Sequence, residues 1–288
     1  MTKVSQSASD ITIKETTCFL GRALSLKSKA IELLVTLDVG PRIISLSKVN
    51  GENIFFNDVN QLITKDVQDY YGKGKQWQIY GGHRIWLAPE NELTYYPDNG
   101  VVNYEIVNYS VVFSPPKRLD SFEIKLSVCF LEDNKVEIIS RARNLASSTR
   151  KIALWNLTVL KPGGVETLDL DTEDNGYLPN RNLVFWSYSD IKDPRIDIEN
   201  NKITLKSSKD ISAPFKIGLF KKDISVTYEL GNTKFSKYVK SEIDDYPDFG
   251  CNFESYISDN IHEIESLSPL RNLKKGEHLV HKEIWEIL

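Results

Sequence analysis

The sequence is short of the residues that most often announce chemistry. Three cysteines occur in 288 residues, Cys18, Cys129 and Cys251. Their number is odd and their spacings are wide, so neither a CxxC pair nor a zinc-ligand spacing can be drawn. Free thiols in a reducing compartment are the expectation. Of four histidines, three (His262, His278 and His281) fall in the last 27 residues. No apolar run approaches the ~20 residues of a membrane-spanning helix. The opening stretch MTKVSQSASDITIKE has no apolar segment of the signal-peptide kind. A soluble cytoplasmic protein with no membrane partner is expected, with a secreted form whose leader has been removed as the alternative. An excess of one charge is lacking too: 36 Lys and Arg against 40 Asp and Glu leave a net charge of −4. That offers no basic face for a nucleic acid. Lys73 and Lys75, and the cluster Lys216, Lys221 and Lys222, read as solvated loop charges. A phosphate-cradling glycine loop, a nucleotide fingerprint and a nucleophile motif are all absent. No cofactor is implied and no metal site: His278 and His281, three apart in a strand, face opposite ways.

What is present is β-structure. Residues 1–10 are polar and read as a frayed start. From 11 to 288 the chain reads as one domain. IELLVTLDV at 31–39 is a strongly apolar strand, Gly40-Pro41 turns the chain, and Arg42 opens the next strand. Asn50-Gly51 between β-rich flanks is a hairpin signal. Phe122, Ile124, Leu126, Val128 and Phe130 alternate with polar residues, the period of a strand with one face buried. RKIALWNLTVL at 150–160 and LVHKEIWEIL at 279–288 are further strands. Residues 58–71, with Asp58 as cap, are the one helix expected in the N-terminal half. Many short strands separated by turn residues argue for an all-β sandwich or barrel with few short helices.

Two stretches concentrate chemistry. YGGHRIWLAPE at 80–90 sets His83, Arg84, Trp86 and Glu90 beside a pair of glycines. In a strand, His83 and Arg84 point to opposite faces. The second stretch, 246–270, holds Tyr246 and Asp248 and then four acids in twelve residues: Glu254, Asp259, Glu263 and Glu265. Phe253 and Tyr256 flank Glu254, and a carboxyl enclosed by aromatics has its pKa raised towards the general acid/base range. His262 beside Glu263 looks exposed. Trp77, Trp86 and Trp155 are either sugar-stacking platforms or core.

Taken in order, LDVGPRIISLSKVNGENIFF, YGGHRIWLAPE, IALWNLTVLKPGG, FKIG and the ending YPDFGCNFESYISDNIHEIESLSPLRNLKKGEHLVHKEIWEI resemble the galactose mutarotase-like superfamily. Within it, the sequence is most similar to the uncharacterised DUF4380 domain family. The resemblance runs the length of the chain. It implies a β-supersandwich of large antiparallel sheets and a small-molecule carbohydrate as partner. It also implies aldose 1-epimerase chemistry: a glutamate takes the anomeric proton, a histidine protonates the ring oxygen, and the opened ring recloses as the other anomer. By position Glu254 matches that glutamate, and His83 lies near a sugar-binding histidine. The main catalytic histidine belongs to the middle strand, where this chain has Trp155 and Asn156. An indole is no acid, and an amide donates a hydrogen bond but not readily a proton. His83 would then act as the acid with Glu254 as base. Arg42, Arg84, Trp86, Glu90, Trp155, Asn156, Tyr246 and Asp248 form the expected binding set. Several superfamily members carry calcium, but no loop here identifies itself as such a site. An isomerase, a non-catalytic sugar-binding or sensing module, and an interaction scaffold all remain open, as does the oligomeric state.

Overall fold

In the computed structural model the backbone is described for residues 2–6 and 9–288, and side chains from residue 11 onward. The expected frayed start includes Met1, Ser7 and Ala8, which lie outside the described residues; Thr2–Gln6 pairs with Ser9–Cys18. Almost everything else belongs to two large antiparallel sheets, of twelve and ten strands. The middle of the larger sheet runs, in spatial order, Ile43–Lys48, Gly82–Ala88, Arg150–Leu160, His262–Leu267, Phe253–Ile257 and Phe215–Leu219. The middle of the smaller runs Asp223–Leu230, Thr233–Lys240, His278–Ile287, Lys135–Asn144 and Phe122–Glu132. The expected all-β sandwich is therefore the observed one. No helix among the described residues is long and apolar enough to cross a membrane.

The period-2 pattern at 122–130 does what it predicts. Phe122, Ile124, Leu126, Val128 and Phe130 are buried and their neighbours are not. The inner faces of the two sheets close on one apolar cluster. At its centre Phe55, Phe235 and Trp285 meet edge to face, with centroids 5.6–6.4 Å apart, the geometry that ring quadrupoles favour. Arg150–Leu160 is different. From Ile152 on, every residue is buried, because a second apolar layer covers the outer face. Val67, Tyr71, Trp77 and Ile79 pack there on Trp86, Trp155, Leu157 and Val159.

The segment supplying that cover corrects one expectation. Residues 58–71 are not a helix; only Gln68–Tyr71 is. Thr64–Asp66 is a strand paired with Gln76–Gln78. Asp58 accepts from the Ile63 backbone N–H at 2.8 Å, Gln61 takes φ 53°, and Val59 and Leu62 point to solvent. With no apolar stripe at helical spacing, nothing holds this segment as a helix.

Gly81 and Gly82 launch the Gly82–Ala88 strand with φ of +101° and +66°. A Cβ on Gly82 would lie 2.2 Å from the Ile43 carbonyl oxygen, so the strand can approach its neighbour only without one. Gly82→Ala is expected to lose about 3 kcal/mol or more in urea unfolding. Gly176→Ala, at φ +67° with no atom within 4 Å, is expected to lose only about 1 kcal/mol. Equal losses would show that φ alone, not the approach to Ile43, makes glycine necessary.

Candidate functional site

Strand register sorts the site residues into two faces. Arg84 pairs with Leu157, Leu157 with Glu265, Glu265 with Glu254, and Glu254 with Gly218. In the next row stand Val159, Glu263, Tyr256 and Lys216, and in a third Trp86 beside Trp155. Residues directly opposite share a face, and these rows turn away from the smaller sheet. The row between them, His83, Thr158, Ile264, Ser255 and Ile217, turns inward.

The outward rows line a cleft of about 410 Å³ walled by Trp77, Trp86, Tyr95, Trp186, Tyr188 and Tyr256. In its wall lies the buried Lys216 ammonium, 2.7 Å from Glu254 Oε2 and 2.9 Å from Glu265 Oε2. Trp155 Nε1–H donates to the same Glu265 oxygen at 2.7 Å. The ammonium also lies 4.6 and 4.7 Å from the ring centroids of Trp155 and Trp186, a cation–π distance. Trp186 can lie there because Gly218 has no side chain: a Cβ would come within 3.2 Å of the indole. Ser189 anchors the segment by donating to the Lys216 carbonyl at 2.7 Å and accepting from its N–H at 2.8 Å. Arg84 faces Glu263 at 3.0 Å and stacks over Trp86 at 4.4 Å. Tyr95 donates its hydroxyl to Glu90 at the rim.

Burial shapes the charges. It pushes the Glu254 carboxyl well above the ordinary range, with the Lys216 ammonium pulling the other way and Glu265 adding to the rise. Glu263 is raised for the same first reason, against the pull of Arg84. Burial works against the Lys216 ammonium, but Glu265 and Glu254 together overcome it and hold its pKa well above the usual lysine value. Asp248 is raised by burial too, and lies close enough to Glu254 for the two carboxyls to interact. Glu265 Oε1, Arg84 Nε and Trp77 Nε1 are buried and make no hydrogen bond within the protein. Buried polar atoms of this kind normally have partners, so the cleft offers both acceptors and donors to a ligand.

Of the residues expected from sequence, Arg84, Trp86, Glu90 and Trp155 line the cleft; Glu254 is joined to it through Lys216, and Asp248 through Glu254. Four do not. His83 is fully buried on the inner face, its Nδ1 3.0 Å from Thr158 Oγ1 and its ring edge-on to Trp285 at 4.8 Å. Strand alternation puts it a sheet's thickness from Arg84. Asn156, one residue past Trp155, is inward for the same reason. Arg42 is a buried clamp on a loop, bonded to Asp98 at 3.0 Å and to the Ile79 carbonyl at 2.8 Å. Tyr246 donates to the Glu242 carbonyl at 3.0 Å and lines a different groove, where Thr233–Lys240 and His278–Ile287 part. That groove is larger, about 740 Å³, but its acids Asp223, Glu242 and Asp244 are exposed and it has no buried ion pair. His262 is not exposed: its Nε2 lies 2.7 Å from Glu166 inside the sandwich. Lys216 is no solvated charge, and Trp186 and Tyr188 gave no signal in the sequence. The one available sign for Lys216 was its place between Phe215 and Ile217 in an otherwise apolar strand.

No protein-family model and no curated protein matches the chain. Solved structures do. A galactose mutarotase-like protein from Clostridium acetobutylicum superposes with a TM-score of 0.58 at 14% identity, covering 97% of this chain and 98% of its own. One from Lactobacillus casei gives 0.57 at 12%, covering 92% and 100%. A galactose mutarotase related enzyme from Lactobacillus acidophilus gives 0.51 at 13%, covering 92% and 97%. The fold is that of the galactose mutarotase-like sandwich.

Burial lowers His83 to about 3 and His281 to about 4. Histidine-resolved NMR is expected to find both rings neutral from about pH 7 down to about pH 5, where an ordinary imidazole is charged. The unfolded chain takes up these protons below about pH 6.5, so this pair makes stability fall as pH drops from there towards 4. A His83 ring protonated at about pH 6 would contradict its place in the core.

Proposed function

We propose that residues 11–288 act as one carbohydrate-active domain of the aldose 1-epimerase-like type, in the DUF4380 branch, working in the cytoplasm. It binds a sugar in the aromatic cleft and interconverts anomers by acid/base ring opening. The observation that carries this reading is the Glu254–Lys216 ion pair set among tryptophans, beside buried oxygens and nitrogens left without partners. A pyranose has apolar ring faces for indoles and hydroxyls that both donate and accept. The cleft volume of about 410 Å³ suits a small molecule. The three free thiols suit a reducing compartment.

In this reading Glu254 is the base and Lys216 replaces the missing histidine as acid. Ionised Glu254 takes the proton of the anomeric hydroxyl as the carbonyl forms and the bond from C1 to the ring oxygen breaks. The Lys216 ammonium gives a proton to that ring oxygen, which becomes a hydroxyl. Rotation about C1–C2 and reversal of both transfers close the other anomer, with both groups back in their starting states. The raised Glu254 pKa makes it a stronger base, while the raised Lys216 pKa makes that ammonium a weaker acid, so the acid half carries the greater demand. A second reading, binding or sensing without turnover, is favoured by one observation: Glu254 is fully buried under Lys216.

The test is anomer exchange followed by NMR or polarimetry across common hexoses. Acceleration is expected, with Glu254→Gln and Lys216→Met each losing about 100-fold or more in kcat. Trp86→Ala is expected to raise KM about tenfold through lost stacking. Thermal stabilisation by a sugar without acceleration would leave only the binding reading, and neither effect would remove both.

A further inference from the structure

Charge at the cleft is unbalanced, and the imbalance bears on what it binds. Two carboxylates, Glu254 and Glu265, share the single ammonium of Lys216. Arg84 is matched one to one with Glu263. At the rim Lys65, 3.7 Å from the centroid of the Tyr95 ring, is matched by Glu92 at 2.9 Å. Glu90 has only the neutral Tyr95 hydroxyl. Every cation of the cleft is thus paired, and the surplus is negative. Its buried part is one carboxylate of the Lys216 cluster. Glu265 Oε1 has no donor in the protein, although the side chain is 1% exposed, and Asp248 beside Glu254 adds a further acidic group to the cluster.

Resting on the sugar-binding reading above, we infer that the cleft selects a sugar carrying a primary amine and rejects anionic sugars. The ammonium of such a ligand supplies the second positive charge that Glu254 and Glu265 lack. It enters a space already lined by aromatic faces, which attract cations. Lys216 itself makes use of the Trp155 and Trp186 rings in this way. A phosphate or uronate would instead add negative charge to a desolvated surplus with no unpaired cation to receive it. Burial raises the Glu254 carboxyl against the pull of Lys216, and a second ammonium beside the cluster would oppose that rise.

The experiment is calorimetric titration of the full chain at low salt with glucose, glucosamine and glucose 6-phosphate. Glucosamine is expected to bind at least about tenfold more tightly than glucose, the equivalent of one well-placed ion pair, and glucose 6-phosphate not at all. Glu265→Gln keeps an oxygen for the Trp155 N–H and leaves Lys216 paired one to one with Glu254. It is expected to bring glucosamine to within about twofold of glucose. Glu90→Gln is expected to keep the preference. Equal binding of glucose and glucosamine, or binding of the phosphate, would overturn the inference and leave the sugar reading standing. Loss of the preference in Glu90→Gln rather than Glu265→Gln would overturn it as well. Ethanolamine binding as tightly as glucosamine would overturn the inference that an amino sugar, and not any amine, is selected. Binding of none of the sugars would remove the sugar-binding reading itself.

Discussion

The candidate site depends on one contact, the Lys216 ammonium held between Glu254 and Glu265. Its three side chains come from three neighbouring strands, Phe215–Leu219, Phe253–Ile257 and His262–Leu267. The contact therefore exists only when all three are in register. Isolated, any of these charges would be too costly to bury; the one ammonium offsets part of that cost for both carboxylates. Removing one partner of such a buried set typically costs about 3–5 kcal/mol, because the others are left uncompensated. The Trp155 N–H to Glu265 and the Ser189 bonds to the Lys216 backbone extend the same constraint to the strand Arg150–Leu160 and the loop bearing Trp186.

The inner face of the same strands carries a second polar set. Lys237 lies 3.0 Å from Glu283 and donates to Thr158 Oγ1 at 2.8 Å, beside His83. Glu283 is held low, to about 2, because Lys237 and its neighbours outweigh the burial that would raise it. Glu166 accepts from Ser255 at 2.5 Å and faces His262. Thr158 and Ser255 thus tie the inner face to the smaller sheet, one residue away from Leu157 and Glu254 on the cleft side. A site built on strands fixed from behind keeps its geometry without a ligand, which is what preorganised charge requires.

The sequence carried the fold well and the site by halves. Alternation at 122–130, the turn residues and the near absence of helical spacing were enough for an all-β sandwich, since burial on one face writes itself as period two. Glu254 and Arg84 were legible because they sit in stretches dense with reactive groups. His83 was misplaced for a physical reason: density along the chain says nothing of which face a strand residue takes, and one position separates the core from the cleft. Asn156 failed in the same way beside Trp155. Lys216 was hidden because its partners are 38 and 49 residues away and only the cross-strand register joins them. Arg42 and Tyr246 are bound to backbone carbonyls, contacts that no local pattern announces.

Register also explains why the middle strand presents no histidine to the cleft. The outward positions of Arg150–Leu160 near the cleft are Trp155, Leu157 and Val159. Each is packed in the apolar layer that covers this face, so an imidazole there would displace part of the wall. The cation stands instead three strands away from Arg150–Leu160, on Phe215–Leu219, at Lys216. In this arrangement the proposed acid and base touch each other at 2.7 Å rather than facing across a ligand. In the proposed reaction a sugar would meet this pair from one side, next to Glu265 Oε1, which has no partner within the protein. Its reacting oxygens, both bonded to the anomeric carbon, are close enough together for a contiguous pair of side chains to reach. The touching pair is therefore compatible with ring opening, and it makes Glu265, not a histidine, the third group that sets the charge of the other two.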